Sequence, residues 1–498
     1  MIRLKVKSPL YYAVITTLVL SLCSASTVPS VQTYYFDYEN VLGTSFELKV
    51  TAPSESNAIE AEKVAVTEID RLAKILSSYD STSEFSRWQK TQNTDIPVSR
   101  ELFEVLSLFD KWKLKTGGAI SASAGTGIAL WKKAAATQTL PLPNELAEAA
   151  SAMKKIHWQL NEDNLTARHL STDPLVLNSF VKSYILNMTQ QKVMRVTGVK
   201  ASVLNIGGDV MVAGNQNEMV SVSNPLADAE NDKPLSVLNV GNKTIATSGN
   251  YRRGYQVEGN WYSHILDVRT AIPATEIISA TVVANSATDA GALATSFNIL
   301  SPDESTELAR QIPGTEYLII TKNGERIVSD GWNKLELSSN PVIENKSDNN
   351  FELSIDVELA RFEGRFHRPF VAVWVENKKK EPVRNLALWF NKPKWLPDLK
   401  KWYSKNYETN GGRERIGSIS SATRSAGKYT LKWDGLDDTG KPVKSGKYTI
   451  YIEAAREHGT YQLIKQEIEW NGKPQQYNLQ GGVEITATAL DYHSVVKE

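Results

Sequence analysis

The sequence predicts an α+β domain followed by an all-β sandwich. Up to about residue 335, apolar positions at helical spacing alternate with short period-two segments. The run from 336 to 350, ending in SSNPVIENKSDNN, is polar and turn-rich and reads as a linker. Beyond it, FELSIDVELA, PFVAVWVEN, NLALWF, KYTLKWDGL, GKYTIYIEAA and YQLIKQEIEW alternate apolar and polar residues between turns, the pattern of a sandwich. The 498 residues allow two or more domains at a prior of about 150 residues each. With 56 basic and 56 acidic residues the net charge is zero, so no global field favours nucleic acid or an anionic membrane. An anionic ligand has to be held by local groups.

Residues 1–25 have a basic start, an apolar run from Tyr11 to Leu22 and small residues after it, the layout of a secretory signal. The run is too short for a membrane span, and no other segment predicts a transmembrane helix. Cleavage after Ala25 or Ser26 leaves a chain without cysteine; lipid anchoring at Cys23, the sole cysteine, is the alternative, although Leu22 is a poor residue before a lipidated cysteine. Thr33 to Val50 reads as a strand pair. Val64, Ile69, Leu72, Ile75 and Leu76 predict a helix over 58–76, and Leu102, Val105, Leu106, Phe109 and Trp112 another over 100–116. The small residues of GGAISASAGTGIALW form a loop that lets backbone amides approach a ligand.

Residues 131–156 read as helical, interrupted by Pro141 and Pro143; short strands follow around 161–164, then a helix from Ser179. ASVLNIGGDVMVA, 201–213, reads as one buried strand with a Gly-Gly kink, and Asp209 as a turn or hydrogen-bonding residue. Tyr255 and Val257 alternate with polar neighbours, Glu258-Gly259-Asn260 turns, and Trp261 to Ile265 returns: a β-hairpin. It delivers His264, Asp267 and Arg269, a base, an anion and a cation, to one end, with His264 on the face opposite Ile265. A strand over 277–284 and a helix from about Thr288 to Leu300 complete the domain.

The run GNYRRGYQVEGNWYSHILDVRT, with NIGGDV at 205–210 and GALATSFNIL at 291–300, resembles the ApbE-type FAD:protein FMN transferases over residues 33–335. The resemblance implies an enzyme working outside the cytoplasm, periplasmic or secreted. It would cut FMN from FAD at the diphosphate and join it to a Ser or Thr hydroxyl of a target protein, with magnesium. Carried over position by position, it implies His264 as proton acceptor, Asp267 orienting the loop or the base, and Arg269 pairing with a carboxylate or offsetting phosphate charge. It places Gly43, Thr44, Tyr79, Ala119, Ser121, Ser123, Lys182, Ser248, Tyr251 and Ile265 against the flavin nucleotide. It assigns the metal to the carbonyls of Ser179 and Ala294 and the hydroxyl of Thr295.

Three positions depart from the family pattern. Ser121-Ala122-Ser123 stands for Asp-Pro-Thr, Val176 for a carboxylate attributed to FAD binding, and Gly291 for the metal-binding Asp four residues before Thr295. Asp289 is a substitute only if the helix begins later and leaves Asp289 in the preceding loop. An alternative reading is a catalytically degenerate flavin-binding or partner-docking protein of the same fold. The region 351–498 contains a stretch similar to immunoglobulin-like bacterial modules and resembles secreted domains of unknown function often fused to ApbE-type domains. Its acidic turn at Asp434, Asp437 and Asp438 reads as solvated.

Overall fold

The computed structural model describes residues 31–495 except 252, 338–349, 365, 391–392, 408–419 and 422. The expected leader with Cys23, and most of the expected linker, lie outside the described residues.

The first domain is built on an eight-stranded antiparallel sheet, in the order Gln32–Val41, Thr44–Ala52, Ala201–Ile206, Asp209–Gly214, Thr244–Gly249, Ile277–Ala284, Glu316–Thr321, Arg326–Val328. Three helices cover one face: Glu55–Leu76, Val181–Val193 and Ala287–Phe297. They bury small and branched residues (Ala58, Ala61, Ala65, Ile185, Ala290, Leu293) against Phe46, Leu48 and Val50 of the sheet. Small side chains bring helix and sheet close together, so the apolar area removed from water is largely backbone-near and tightly packed. The opposite face is closed by a hairpin, Glu218–Val222 with Ser236–Val240, around Val203, Val212, Leu238 and Trp332.

Serines set two of the helix starts. Ser54 accepts from the Asn57 amide and Ser286 from the Asp289 amide, each filling an otherwise unpaired first-turn donor. The predicted helix over 131–156 is two helices, Gly125–Thr137 and Pro143–Lys154, because proline is accepted at a first helical position but not inside. The segment read as one kinked strand is a hairpin: Gly207 and Gly208, with φ of 62° and 103°, reverse the chain so that Ile206 faces Asp209. Two successive positive φ values are open to glycine at little cost, and they make a turn.

The reversal at Gly207-Gly208 brings several loops together. Leu42-Gly43, the Gly207-Gly208 turn and the end of the strand reaching Gly249 all lie at one end of the sheet, since the strands involved are antiparallel neighbours in register. The helix 287–297 runs back to that same end, where Asn298 Nδ2 donates to the Ser248 carbonyl at 3.0 Å.

The second domain packs two antiparallel-rich sheets face to face. One holds Gly427–Trp433, Phe351–Leu359, Ile485–Ser494 and Gln475–Gln480; the other holds Ser420–Ser421, Pro382–Trp389, Phe370–Asn377, Gly446–Ala455 and Tyr461–Trp470. All six segments predicted from alternation are strands. The hairpin 475–480 with 485–494 escaped that reading because its first strand has no buried residue and its second is rich in Thr, Ala and polar residues. Trp433, Trp470 and Tyr492 stack through the core at centroid distances of 4.6 and 4.7 Å.

The domains meet in two places. Arg368, 3% exposed, donates to Glu47 Oε1 at 2.6 Å and to the Thr423 carbonyl at 2.8 Å, and His367 contacts the Asp37 carbonyl. On the other side the loop after Val222 caps an edge strand: the Glu230 amide donates to the Thr430 carbonyl, and Asn231 bonds both the amide and the carbonyl of Lys432. An edge strand covered this way is no longer open to pairing with other chains. Beside the second contact lies a cleft of about 1230 Å³, lined by that loop, by Tyr251 of the first domain and by Trp389, Arg424 and Thr430 of the second. Removing the Arg368 guanidinium takes from Glu47 its counter-charge at the interface and leaves it the neutral Asn205 amide at 3.0 Å. Arg368→Ala is therefore expected to lower stability to urea by about 3 kcal/mol, and a change below about 0.5 kcal/mol would place that ion pair among those that contribute nothing.

Candidate active site

The hairpin is Gly254–Val257 with Asn260–Ser263, turned by Glu258 and Gly259 at φ of 50° and 78°. Its base is fixed by packing: Val257, Leu266, Val268 and Ala271 are buried against Trp131 and Met153, and Trp131 Nε1 donates to the Ala271 carbonyl at 2.9 Å. Gly127 is required here, since a Cβ on it would stand 2.1 Å from Leu266.

His264 follows the hairpin and is exposed, while Ile265 beside it is 6% exposed. Its Nδ1 lies 2.9 Å from the Arg253 carbonyl. A carbonyl only accepts, so Nδ1 carries the proton and the neutral ring keeps its free lone pair on Nε2. Although the residue is exposed overall, atoms crowded around the ring keep water from it and push the imidazole pKa below its usual value; the bond to the Arg253 carbonyl opposes this and the Arg253 charge adds to it.

Asp267 does not reach His264 by any hydrogen bond among the described residues. Its carboxylate holds Arg269 through Nε at 2.9 Å and Nη2 at 2.9 Å, and accepts from the Arg269 amide at 2.8 Å. Of the two tasks expected of Asp267, orienting the loop or the base, the geometry corresponds to the loop. Arg269 lies against Gly118 and 3.9 Å from Glu304, its fork occupied by Asp267, so it locks the turn to its surroundings.

Lys182 sits near both Arg253 and Asp209. Burial and the Arg253 charge lower its pKa, and Asp209 works in the other direction. Asp209 opens the strand after the Gly-Gly turn: partly accessible, yet so closely surrounded that its carboxyl is pushed up to about 6. The Ser183 hydroxyl, which donates to Asp209 Oδ2 at 2.5 Å, and the Lys182 ammonium limit that rise.

Tyr79 is 82% exposed, tied at its hydroxyl by Asn178 Nδ2 at 2.8 Å, and close enough to Tyr255 for their phenols to interact. Ser121 and Ser123 point inward: their hydroxyls share a 2.8 Å bond, and Ser123 donates to the Met153 carbonyl. The amides of Ala119, Ile120, Ser123 and Ala124 are also bonded within the loop, so this loop offers shape, not free donors at those positions. Gly43, at φ 70°, and Thr44 abut the Gly-Gly turn, the Thr44 hydroxyl lying where a Gly207 Cβ would be.

The oxygens expected to hold a metal do converge in part. Thr295 Oγ1 lies 3.0 Å from the Ser179 carbonyl. The Ala294 carbonyl accepts from Asn298, which also bonds Ser248, and Asn298 Oδ1 is buried with no hydrogen-bond partner. At position 291 the backbone is ordinary helix, but a Cβ would stand 2.1 Å from Ser183 Oγ and 2.9 Å from Ser183 Cβ. Asp289 belongs to the first turn of that helix, which begins at Ala287; burial raises its pKa, and the Lys115 charge opposes that rise. The loop placement under which it would substitute for position 291 is not met.

The ApbE family model matches residues 42–319, more than half of the chain. This chain belongs to the ApbE family. A second model, described as a predicted periplasmic protein (DUF2271), matches residues 352–487. Relatives named FAD:protein FMN transferase include one from Haemophilus influenzae, 29% identical over 304 residues covering 57% of this chain and 86% of the relative. Another, from Klebsiella pneumoniae, is 24% identical over 323 residues covering 61% and 90%. Among solved structures, the ApbE protein of Thermotoga maritima aligns with TM-score 0.54 at 22% identity, covering 61% of this chain and all of the other. The flavin transferase ApbE from Vibrio cholerae aligns with TM-score 0.50 at 20% identity over the same shares. These likenesses establish an ApbE-like fold joined to an all-β domain.

Within the ApbE domain, reasoning from sequence missed Arg253, Ser183 and Asn298. Arg253 acts on His264 through a carbonyl, which any residue type supplies, and Ser183 and Asn298 act through contacts that appear only when distant segments meet. Magnesium takes hard oxygen donors, usually one or two carboxylates completed by substrate phosphates and water. Ser179 O, Ala294 O and Thr295 Oγ1 are donors of that kind. Carbonyl and hydroxyl oxygens are hard donors, which suit magnesium better than a metal that prefers thiolate or imidazole.

Proposed function

We propose that this protein is an FAD:protein FMN transferase of the bacterial envelope, moving FMN from FAD to a Ser or Thr hydroxyl of a target protein and releasing AMP. The observation that carries the reading is the His264 tether. With Nδ1–H given to the Arg253 carbonyl, Nε2 remains a neutral base, and the Arg253 charge acts on both His264 and Lys182. A base next to cations suits proton removal from a hydroxyl that attacks a diphosphate.

Each part of the chain then has a task. Tyr79 and Tyr255 offer aromatic faces to a flavin or adenine ring at little entropic cost. Lys182 and Arg253 offset the diphosphate charge, and Ser179, Ala294 and Thr295 hold magnesium, which when bound supplies further charge neutralisation. His264 Nε2 takes the proton of the target hydroxyl as its oxygen bonds to the FMN phosphorus. The bond from that phosphorus to the bridging oxygen breaks, and AMP leaves with the bridging oxygen. The envelope location rests on the leader-like start and on the description of the C-terminal family.

The expected result is AMP release from FAD when the purified protein meets magnesium and a Ser- or Thr-bearing acceptor. Saturable FAD binding with no AMP under any such condition would favour the second reading, a flavin-binding protein without turnover. That reading draws its support from the absence of a carboxylate at Gly291.

A further inference from the structure

We propose that Asp209 supplies to the cation site the carboxylate that position 291 lacks, and that Ser183 is the positioning residue that holds it there. The inference rests on the transferase reading for the presence of a cation, and it concerns which side chain of this chain meets that cation.

The space beside residue 291 is not vacant. Ser183 fills it, with both Oγ and Cβ closer than a side chain at 291 would allow. The atom that fills it then passes a hydrogen bond to Asp209 Oδ2 at 2.5 Å. An oxygen of Asp209 therefore stands one hydrogen bond away from the region that a residue-291 side chain would enter. The sequence loses a carboxylate from the helix 287–297, and the fold brings another to the same seam from the strand 209–214.

The order of contacts along the seam supports this. Residues 291 and 295 are one turn apart on their helix, about 5.4 Å. Ser183 faces the first and the Ser179 carbonyl bonds the second, so the Asp209 anchor and the Thr295–Ser179 oxygens follow one another along a single interface. Asp209 is partly accessible, not sealed in the core, and it stands directly after the exposed Gly207-Gly208 turn at that end of the sheet. One carboxylate joined by carbonyl and hydroxyl oxygens and by substrate phosphate is a sufficient set for magnesium.

The competing role for Asp209 is structural, as counter-charge to Lys182. Manganese(II) titrations followed by electron paramagnetic resonance, on the full chain with FAD present, separate the two. Asp209→Asn keeps the shape and is expected to weaken Mn²⁺ by roughly tenfold or more while FAD affinity, read by flavin fluorescence, changes little. Ser183→Ala is expected to weaken Mn²⁺ less, by a few-fold, because it removes the holder and not the ligand. The combination Asp209→Asn, Ser183→Gly and Gly291→Asp returns a carboxylate from the helix and is expected to restore Mn²⁺ binding. Wild-type binding retained in Asp209→Asn, loss of FAD and Mn²⁺ together, or a wild type that binds no Mn²⁺ would each overturn the proposal. AMP release by the wild type is scored separately, so the transferase reading stands or falls on its own result.

Discussion

Replacing His264 with alanine is expected to lower FMN transfer by about 10²- to 10⁴-fold, the usual span for loss of a positioned general base. FAD affinity should change little. The more informative substitution is His264→Asn, whose amide nitrogen can still donate to the Arg253 carbonyl but which has no basic nitrogen. If His264 is the base, Asn fails as badly as Ala; if its task is only to hold the Arg253 backbone, Asn retains most of the rate. The wild-type pH profile gives an independent reading. Partial desolvation of the ring lowers the imidazole pKa from its usual 6.5, so the neutral, proton-accepting form persists further into acid. The rate should therefore rise with pH through a midpoint below 6.5 and be flat near neutrality with respect to this group. A limb centred above that value would assign the proton to another residue.

The second large effect concerns Gly291. Restoring the aspartate that the family resemblance expects looks, from sequence, like a gain in metal affinity. The structure reverses that expectation for the single substitution. A Cβ at 291 collides with Ser183 Cβ at 2.9 Å as well as with its hydroxyl, and a rotamer change of Ser183 moves only the second. Overpacking a closed helix–helix contact costs about 1–3 kcal/mol. Gly291→Ala and Gly291→Asp should both lower the thermal midpoint, and pairing either with Ser183→Gly should recover most of the loss. Because the backbone at 291 is ordinary helix, strain from a positive φ plays no part. A Gly291→Ala variant as stable as the wild type would show that the Ser183 contact yields, and the exchange of space between the two positions would no longer explain the glycine.

What could be read from sequence followed the range of the interaction concerned. Helices over 55–76 and 100–115 were legible because their apolar stripes repeat locally, and the hairpin was legible because Glu258-Gly259 sits between alternating segments. The Gly-Gly turn was misread as a kink because the residues on either side are apolar enough for one buried strand. The strands 218–222 and 236–240 went unseen because a long polar loop separates them. At the site, His264 was legible through its motif, but the carbonyl that sets its tautomer carries no residue signature. The Ser183–Gly291 exchange joins two helices far apart in the chain, and only the packed interface shows that one residue occupies the other's space.

The most direct measurement of the central claim is intact-mass analysis of a Ser- or Thr-bearing acceptor protein after incubation with this protein, FAD and magnesium. The account predicts a mass gain of one FMN less one water, flavin fluorescence that survives denaturation, AMP in equal amount, and no such product with His264→Ala. An acceptor that remains unmodified while the protein holds FAD intact, across acceptors that a related flavin transferase does modify, would contradict it.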